Sequence, residues 1–183
     1  MEIREKMKRQ LVACAWIAFA LYLLFDGARI VNWGTRVYSE LAPGGFRVAY
    51  YRGTEFSQLI CRRSERYAVR DYGKDKPGLW VPRNNWSARW EAILAVPQTA
   101  EYSFYLQSDD GARVYIDDVL VVDYWSDHEW VPGKHGKTDL QQGDHRIRIE
   151  HYDRVGSAAI RLKWAGGPIP PDSVLGVPFV RKP

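Results

Sequence analysis

The sequence lacks several patterns, and each absence excludes a class of protein. Its 183 residues contain no G-x-S-x-G, H-E-x-x-H or C-x-x-C motif, so the common signatures of serine hydrolases, zinc proteases and thiol redox proteins are missing. The 26 basic and 22 acidic residues include no run of five like charges, whereas nucleic-acid-binding proteins usually carry a clustered basic patch. We therefore expect neither an enzyme nor a nucleic-acid partner.

Cysteine is scarce as well, with only Cys14 in an apolar run and Cys61 in a polar region. The two cannot bridge if Cys14 lies in a bilayer, which leaves Cys61 as an unpaired thiol, either buried as a small hydrophobe or available to a partner chain. Burial is the favoured interpretation. The abundant residue types indicate a folded chain, because disordered proteins are poor in aromatics and 14% of these residues are aromatic.

The first 33 residues predict a membrane anchor. An uncharged stretch of fifteen residues, 11–25, covers roughly 22 Å as a helix, which is short of the ~30 Å hydrocarbon core. The helix can continue because Asp26 and Arg29 can pair, Arg29 can reach outward, and apolar residues resume as far as Trp33. Basic residues among the first ten hold the amino end in the cytoplasm. The candidate anchor residues are Trp16, Tyr22, Arg29 and Trp33.

This anchor predicts a single-pass protein of the cell (inner) membrane with a periplasmic or extracellular carboxyl-terminal domain. The predicted segments are a cytoplasmic terminus at 1–10, a transmembrane signal-anchor helix at 11–33, a linker at 34–45, a β-sandwich at 46–165 and a proline-rich extension at 166–183. Two alternatives stay open. A signal peptide could be cut after Ala28, although Asp26 would then stand where a small residue is wanted, and Cys14 could carry a lipid.

From Phe46 onward, apolar residues recur at every second position, and turn residues interrupt them every eight to twelve positions. Segments such as SARWEAILAV, HRIRIEHY and AAIRLKW place apolar residues on one face, which is typical of half-buried antiparallel strands. No window of twelve residues shows a convincing helical stripe. Seven or more such strands indicate a sandwich or barrel. The predicted fold class is mainly β, an antiparallel β-sandwich preceded by a single amino-terminal transmembrane helix.

Five segments, in their order and at their intervals, resemble a known domain family: FRVAYYRGTEFS, NWSARWEAIL, YSFYLQSDDGARVYIDDVLVVDYW, HRIRIEHY and AAIRLKW. The family is named after the fourteen-kilodalton fragment of anthrax protective antigen, and the resemblance covers about residues 45–170. It implies an antiparallel β-sandwich found outside the cytoplasm, in toxins, glycosidases, adhesins and cell-surface proteins. Many such domains bind carbohydrate or another surface, and the domain itself is generally not catalytic.

The resemblance also implies a role for two adjacent aspartates, Asp109 and Asp110. In glycan-binding members the matching pair, joined by a cis peptide, ligates calcium, and the calcium holds sugar hydroxyls. The fungal lectin type adds an asparagine from a later loop, but no asparagine follows Asn85 in this sequence. Asp127, Glu129 or backbone carbonyls would have to take its place, since calcium requires six to eight oxygen ligands.

The competing and preferred interpretation of these aspartates is structural. The stretch SDDG resembles a hairpin corner in which glycine supplies a positive φ, and Asp117 and Asp118 form the next corner. An EF-hand loop is excluded, because the twelfth position counted from Asp109 is Leu120, where a glutamate is needed. Two adjacent corner residues also diverge, which does not suit the paired carboxyl groups of a glycosidase.

The loop after the second corner contains further candidates for contact. Trp125 and Trp130 could stack on a sugar or meet a protein partner, and Asp127 lies between them. His128 and His135 are seven positions apart and could bind a transition metal, although exposed loop histidines are commoner. No cofactor is required on this interpretation, and calcium is the one candidate.

Two functions of different class fit these features. The preferred hypothesis is a non-enzymatic accessory subunit, anchored in the lipid bilayer beside other integral membrane subunits, whose sandwich stabilises a larger membrane assembly. The alternative is a calcium-dependent carbohydrate-binding surface module with glycans as partners. The preference depends on the short linker, 34–45, because a lectin that must reach distant glycans would ordinarily have a longer stalk or more domains.

Overall fold

The computed structural model describes residues 45–183, which lie within one compact unit, Pro43–Pro183. These residues form twelve β-strands, and the strands pair in antiparallel fashion. The strands are β1 (Phe46–Arg52), β2 (Gln58–Glu65), β3 (Val69–Gly73), β4 (Trp86–Val96), β5 (Ala100–Asp109), β6 (Ala112–Ile116), β7 (Val119–Tyr124), β8 (Lys134–Leu140), β9 (Gly143–Asp153), β10 (Ala158–Gly166), β11 (Ile169–Val174) and β12 (Val180–Arg181).

Between residues 45 and 183 there is no helix that is long and apolar enough to cross a membrane. The predicted anchor lies outside the described residues. This applies to the segments 1–10 and 11–33, to the linker up to residue 44, and to Cys14, Trp16, Tyr22, Arg29 and Trp33.

The strands form two sheets that share one hydrophobic core. One sheet has the order β2-β1-β4-β9-β6-β7, with β12 also pairing with β4, and the other has the order β11-β10-β5-β8, with β3 also pairing with β10. Trp90 and Ile149 from the first sheet join Phe104 and Trp164 from the second in the same buried cluster. Cys61 is half-buried against this core and forms no disulfide within residues 45–183. The prediction of a mainly β, antiparallel fold is confirmed for this part of the chain.

The alternating sequence pattern determines which side chains form the core. Strands β4 and β9 pair over eleven positions, from Trp86 opposite Asp153 to Val96 opposite Gly143. The inward residues of this ladder are almost all apolar: Trp86, Ala88, Trp90, Ala92 and Leu94 on β4, with Ile147 and Ile149 on β9. Strand β9 continues in the same phase through His151 to Asp153, so the strand period brings a histidine and then an aspartate into the interior.

A buried carboxylate, that of Glu65, joins four strands at one edge of the core. Its Oε1 accepts hydrogen bonds from the Tyr50 hydroxyl at 2.8 Å and from Arg63 Nε at 2.8 Å. Its Oε2 accepts from Trp90 Nε1 at 3.0 Å and from Arg70 Nε at 2.9 Å. Four donors from β1, β2, β3 and β4 therefore satisfy both oxygens, which is the condition under which a buried charge is stable.

The two aspartate corners differ in structure. Asp117 and Asp118 have φ values of 47° and 65° and join β6 to β7 as a tight hairpin, as predicted. The prediction of a hairpin at SDDG is wrong, because β5 and β6 belong to different sheets and the chain crosses between them after Asp109. Gly111 is needed there for space and not for a positive φ, since an added Cβ would collide with the ring of Tyr152.

The proline-rich segment 166–183 runs back along the sandwich. Strand β11 pairs with β10 at the edge of its sheet, where the missing amide hydrogens of Pro170 and Pro171 are tolerated. Strand β12 pairs with β4, Val180 is buried, and its carbonyl accepts a hydrogen bond from Gly45 N at 3.0 Å. The two ends of the described chain therefore meet.

The two ends of the sandwich carry different structural features. The described chain enters at Gly45, beside Val180. At the opposite end, β1 finishes at Arg52, which pairs with Trp86 of β4, and Trp86 in turn pairs with Asp153 of β9. The end of the sandwich remote from the chain entry is therefore where the aspartate that terminates β9 lies.

Loss of the buried carboxylate of Glu65 should destabilise the sandwich. Glu65→Ala removes the acceptor of four donors and leaves two arginines without their counter-charge, so we expect the free energy of unfolding to fall by about 3–5 kcal/mol. Urea denaturation measures this change. Glu101→Ala, which breaks only the exposed pair of Glu101 and Lys137, should leave stability unchanged. Equal losses in the two variants would contradict a structural role for the Glu65 network.

Candidate functional site

Three aspartates meet at the end of the sandwich remote from the chain entry. Asp109 is the last residue of β5, Asp110 follows it, and Asp153 is the last residue of β9. All three are buried, with exposed fractions of 9%, 6% and 0%. The peptide between Asp109 and Asp110 is cis, as the family resemblance implies. We refer to these three residues as the aspartate cluster.

Asp110 is held by two backbone amides from different loops. The amide of His128, in the loop after β7, donates to Asp110 Oδ1 at 3.1 Å. The amide of Arg154, directly after β9, donates to Asp110 Oδ2 at 2.9 Å. Each oxygen keeps a further lone pair, since a carboxylate has about four acceptor positions. Asp110 therefore fixes both loops and can still accept more ligands.

Asp153 contrasts with Asp110, because both of its carboxylate oxygens are buried and have no hydrogen-bond partner among residues 45–183. Burial raises the pKa of Asp153 to about 7, with repulsion by Asp110 and Asp109 adding to the shift. Burial likewise raises the pKa of Asp109 to about 6, with contributions from Asp110 and Glu129. Unpartnered buried carboxylates are costly, so the aspartate cluster favours either protonation or a bound cation.

The core histidine beneath this cluster is neutral. His151 is completely buried, and burial lowers its pKa to about 3. Its Nδ1 lies 3.1 Å from the Gly111 carbonyl, so the proton is on Nδ1, while Nε2 has no partner. The ring packs edge-on against Trp86 with centroids 5.4 Å apart. His151 therefore provides no positive charge that could offset the aspartates.

The loop residues predicted for contact are engaged within the protein to different degrees. Asp127 accepts a hydrogen bond from the Tyr152 hydroxyl at 2.6 Å and pairs with Arg154 at 3.0 Å. Trp125 is half-buried, with its ring 4.7 Å from that of Tyr152 and with the Arg113 guanidinium 4.1 Å from its ring centroid. Both residues stabilise the loop that covers Asp110.

Trp130 lies elsewhere, on the outer side of the five-stranded sheet. It is exposed, and the Arg161 guanidinium is 5.4 Å from its ring centroid. The two histidines considered as metal ligands also have separate surroundings. His128 stacks on Tyr124 with centroids 3.7 Å apart, whereas His135 is on β8 beside Tyr105, 4.6 Å between centroids.

The chemistry of the aspartate cluster fits a calcium ion better than a transition metal, because its donors are carboxylate oxygens. The unpartnered oxygens of Asp153 are the observation that favours a ligand. Within residues 45–183, however, no group of three or more His, Cys, Asp or Glu side chains is arranged so that it could hold a metal ion. Backbone carbonyls, water and a rotation of the carboxylates would therefore have to complete the coordination.

Asp153 was not among the residues singled out from the sequence, although a signal was present. The alternation Ile147, Ile149, His151 places residue 153 in the inward phase, and a charged residue at an inward position suggests a special role. Its nearness to Asp109 and Asp110 depends on the pairing of distant strands and could not be obtained from spacing.

The sequence pattern of the PA14 domain family matches residues 41–170. The chain belongs to this family. The recognition made from the five sequence segments is thereby confirmed.

Three proteins illustrate what this chain is similar to. Anti-sigma-I factor RsgI3 of Acetivibrio thermocellus is 28% identical over 122 residues, which are 66% of this chain and 19% of the relative. An anti-sigma factor domain-containing protein from Clostridium clariflavum has a TM-score of 0.71 at 22% identity, over 76% of this chain and 47% of that structure. A PA14 sugar-binding domain from an RTX adhesin has a TM-score of 0.63 at 16% identity, over 78% of this chain and all of the other.

The relatives support the fold, and the chain covers only part of the length of two of them. The chain spans about a fifth of the length of the curated anti-sigma factor and about half of the structure from Clostridium clariflavum. The two solved structures are less than 25% identical and show the shared fold alone. The structural neighbours also include glycosidases, such as an alpha-xylosidase from Xanthomonas citri.

The raised pKa values predict a loss of stability as pH rises. Folded Asp109 and Asp153 release their protons near pH 6 and 7, whereas the same groups in the unfolded chain release them near pH 4. The folded state therefore binds more protons in this window, and the free energy of unfolding falls from about pH 4 to about pH 7. His151 acts in the opposite direction below about pH 6.5, because its folded pKa is lowered.

A variant separates these opposing effects. In the presence of chelator, Asp153→Asn should match the parent chain at about pH 4 and become progressively more stable than it toward pH 8, as measured by thermal unfolding. Asp139→Asn, at an exposed position on β8, should follow the parent throughout. Parallel stability profiles for Asp153→Asn and the parent chain would show that Asp153 is not the repelled carboxyl.

Proposed function

We propose that this domain binds a glycan outside the cytoplasm through a calcium ion held by Asp109, Asp110 and Asp153. The observation that supports the proposal most strongly is the buried, unpartnered carboxylate of Asp153 beside two other aspartates. A PA14 domain of the same fold is described as sugar-binding. The segment 11–33 would anchor the domain to the membrane, with the aspartate cluster at the end of the sandwich remote from the chain entry.

The roles of the three carboxylates follow from their partners. Asp153 has both oxygens free of hydrogen bonds and would act as the principal charged ligand. Asp110 keeps its orientation through the amides of His128 and Arg154 and would offer its remaining lone pairs. A bound calcium ion would offset the repulsion among the carboxylates and accept sugar hydroxyls as further oxygen ligands. The loops on either side, which Asp110 fixes, would then contact the sugar and determine its identity.

Calcium should stabilise the full chain in detergent. At a free calcium concentration 100 times the dissociation constant, we expect a gain of about 2.7 kcal/mol, seen as a rise in melting temperature that chelator reverses. Asp153→Asn should be more stable than the parent in chelator and should show no calcium response, a combination that a purely structural aspartate would not give. Asp123→Asn, at the hairpin arm near Arg113, is the control that keeps the response.

Glycan binding is tested with the same variants on an array of immobilised glycans. Binding that requires calcium and disappears in Asp110→Asn and Asp153→Asn supports the proposal. A calcium response of equal size in the parent and both variants, or no response in any of them, would exclude the aspartate cluster as the site.

A second candidate function, that of an accessory subunit within a membrane assembly, has a separate observation in its favour. Leu79 and Trp80 are adjacent on the loop between β3 and β4, with exposed fractions of 80% and 66%. Exposed neighbouring apolar side chains of this size are typical of contact surfaces. The RsgI3 relative is a much longer protein than the matched region, which is consistent with a domain that acts as part of a larger system.

Co-purification tests this second candidate. If the loop contacts a membrane partner, the chain extracted in mild detergent should bring stoichiometric subunits with it, and Leu79→Ser combined with Trp80→Ser should release them. Val155→Ser, which replaces another exposed apolar residue outside this loop, is the matched control. Purification of the parent chain without any stoichiometric subunit would contradict the accessory role.

A further inference from the structure

A groove on the outer face of the five-stranded sheet is a second feature that the aspartate cluster does not explain. Its volume is about 480 Å³, within the range of roughly 300–1,000 Å³ that small-molecule sites occupy. The side chains that line it include Ser103, Tyr105, His135, Lys163, Pro171 and Asp172.

The strand register explains why these residues lie together. Tyr105 of β5 is directly opposite Lys163 of β10 on one side and His135 of β8 on the other. Their strand neighbours Phe104 and Trp164 are buried in the core, so the alternation turns Tyr105 and Lys163 outward. Three side chains from three strands thus form a row across the outer face of the sheet.

Tyr105 provides a fixed aromatic floor in the groove. Its ring lies against His135, with centroids 4.6 Å apart and planes inclined at 38°. Its hydroxyl accepts a hydrogen bond from the Gly133 amide at 2.9 Å and retains its own proton for donation. Because His135 and the Gly133 amide already hold the Tyr105 ring in place, the ring loses little conformational entropy when a flat ligand packs on it.

The wall of the groove carries a matched donor and acceptor. Lys163 Nζ lies 2.8 Å from Asp172 Oδ1, and the Asp172 side chain is largely exposed. Neighbouring hydroxyls of a sugar each donate and accept, which matches an ammonium and a carboxylate placed side by side. The pair is also neutral as a whole, so an anionic ligand would gain little charge complementarity from Lys163.

We propose that this groove is a cation-independent binding site for a neutral oligosaccharide, with one sugar ring on Tyr105 and vicinal hydroxyls on Lys163 and Asp172. It is separate from the proposed calcium site. Tyr105 and Asp109 are four residues apart on β5, roughly 13 Å along an extended strand. Gln107 lies between them and donates from Nε2 to the Val131 carbonyl at 3.0 Å. The site requires no carboxylate of the aspartate cluster.

Titration calorimetry of the full chain in excess chelator tests the groove without any calcium contribution. The detergent must have no sugar headgroup, for example lauryl dimethylamine oxide, because a maltoside would compete. The probes are cellohexaose, xylohexaose and mannohexaose, with tetragalacturonate as the acidic comparison. We expect at least one neutral hexasaccharide to bind and tetragalacturonate to bind more weakly.

Variants assign such binding to the groove. Tyr105→Ala should weaken the bound hexasaccharide at least tenfold, and Tyr115→Ala, which removes a tyrosine that packs under Arg148 in the other sheet, should not. Because Tyr105→Ala also removes a partner of Gly133, Asp172→Ala serves as a second variant at an exposed position and should weaken binding as well.

No binding of any neutral probe in chelator, tighter binding of tetragalacturonate, or binding unchanged in both groove variants would overturn the proposal. None of these outcomes affects the test of the aspartate cluster, whose calcium response is measured separately as a change in melting temperature.

Discussion

The eleven-residue ladder between β4 and β9 is the constraint on which the rest of the structure depends. Its inward side chains form the centre of the core, and β1 and β6 pair along its two flanks. Because the side-chain period of a strand is two, the phase that buries Ile147 and Ile149 also turns His151 and Asp153 inward. The same backbone pairing that holds the sandwich together therefore also places an acidic group at its end.

Two buried acids in this sandwich have opposite surroundings. The contrast distinguishes an acid that stabilises the fold from one that is a candidate ligand. Glu65 accepts hydrogen bonds from four donors and links four strands, so its charge is fully compensated. Asp153 has no donor at either oxygen in the described part of the chain, and burial together with the neighbouring carboxylates raises its pKa. A protein retains an uncompensated buried acid at a cost in stability, and such costs concentrate at functional positions. This distinction favours a ligand at the aspartate cluster.

The surfaces available for contact are spread over the sandwich. The aspartate cluster lies at the end remote from Gly45. The groove lined by Tyr105 crosses the outer face of the five-stranded sheet, and Leu79 and Trp80 project from a loop. Loops and outer faces can vary in this way because the core needs only the inward residues of each strand. Family membership accordingly accounts for the fold, and it leaves the particular side chains on these surfaces free to differ.

The sequence by itself determined the strands, their buried faces and the family, because a period of two and the spacing of turns are local properties. It also singled out Asp109 and Asp110 as candidate ligands and predicted the tight hairpin at Asp117 and Asp118. Only the tertiary structure decided that SDDG crosses between two sheets, since strand partners are chosen by packing between distant segments. It likewise decided that Trp125 packs against Tyr152 and Arg113, which lie on other strands, and that Asp153 joins the aspartates. These facts depend on which strands are neighbours in space, and no local pattern encodes that.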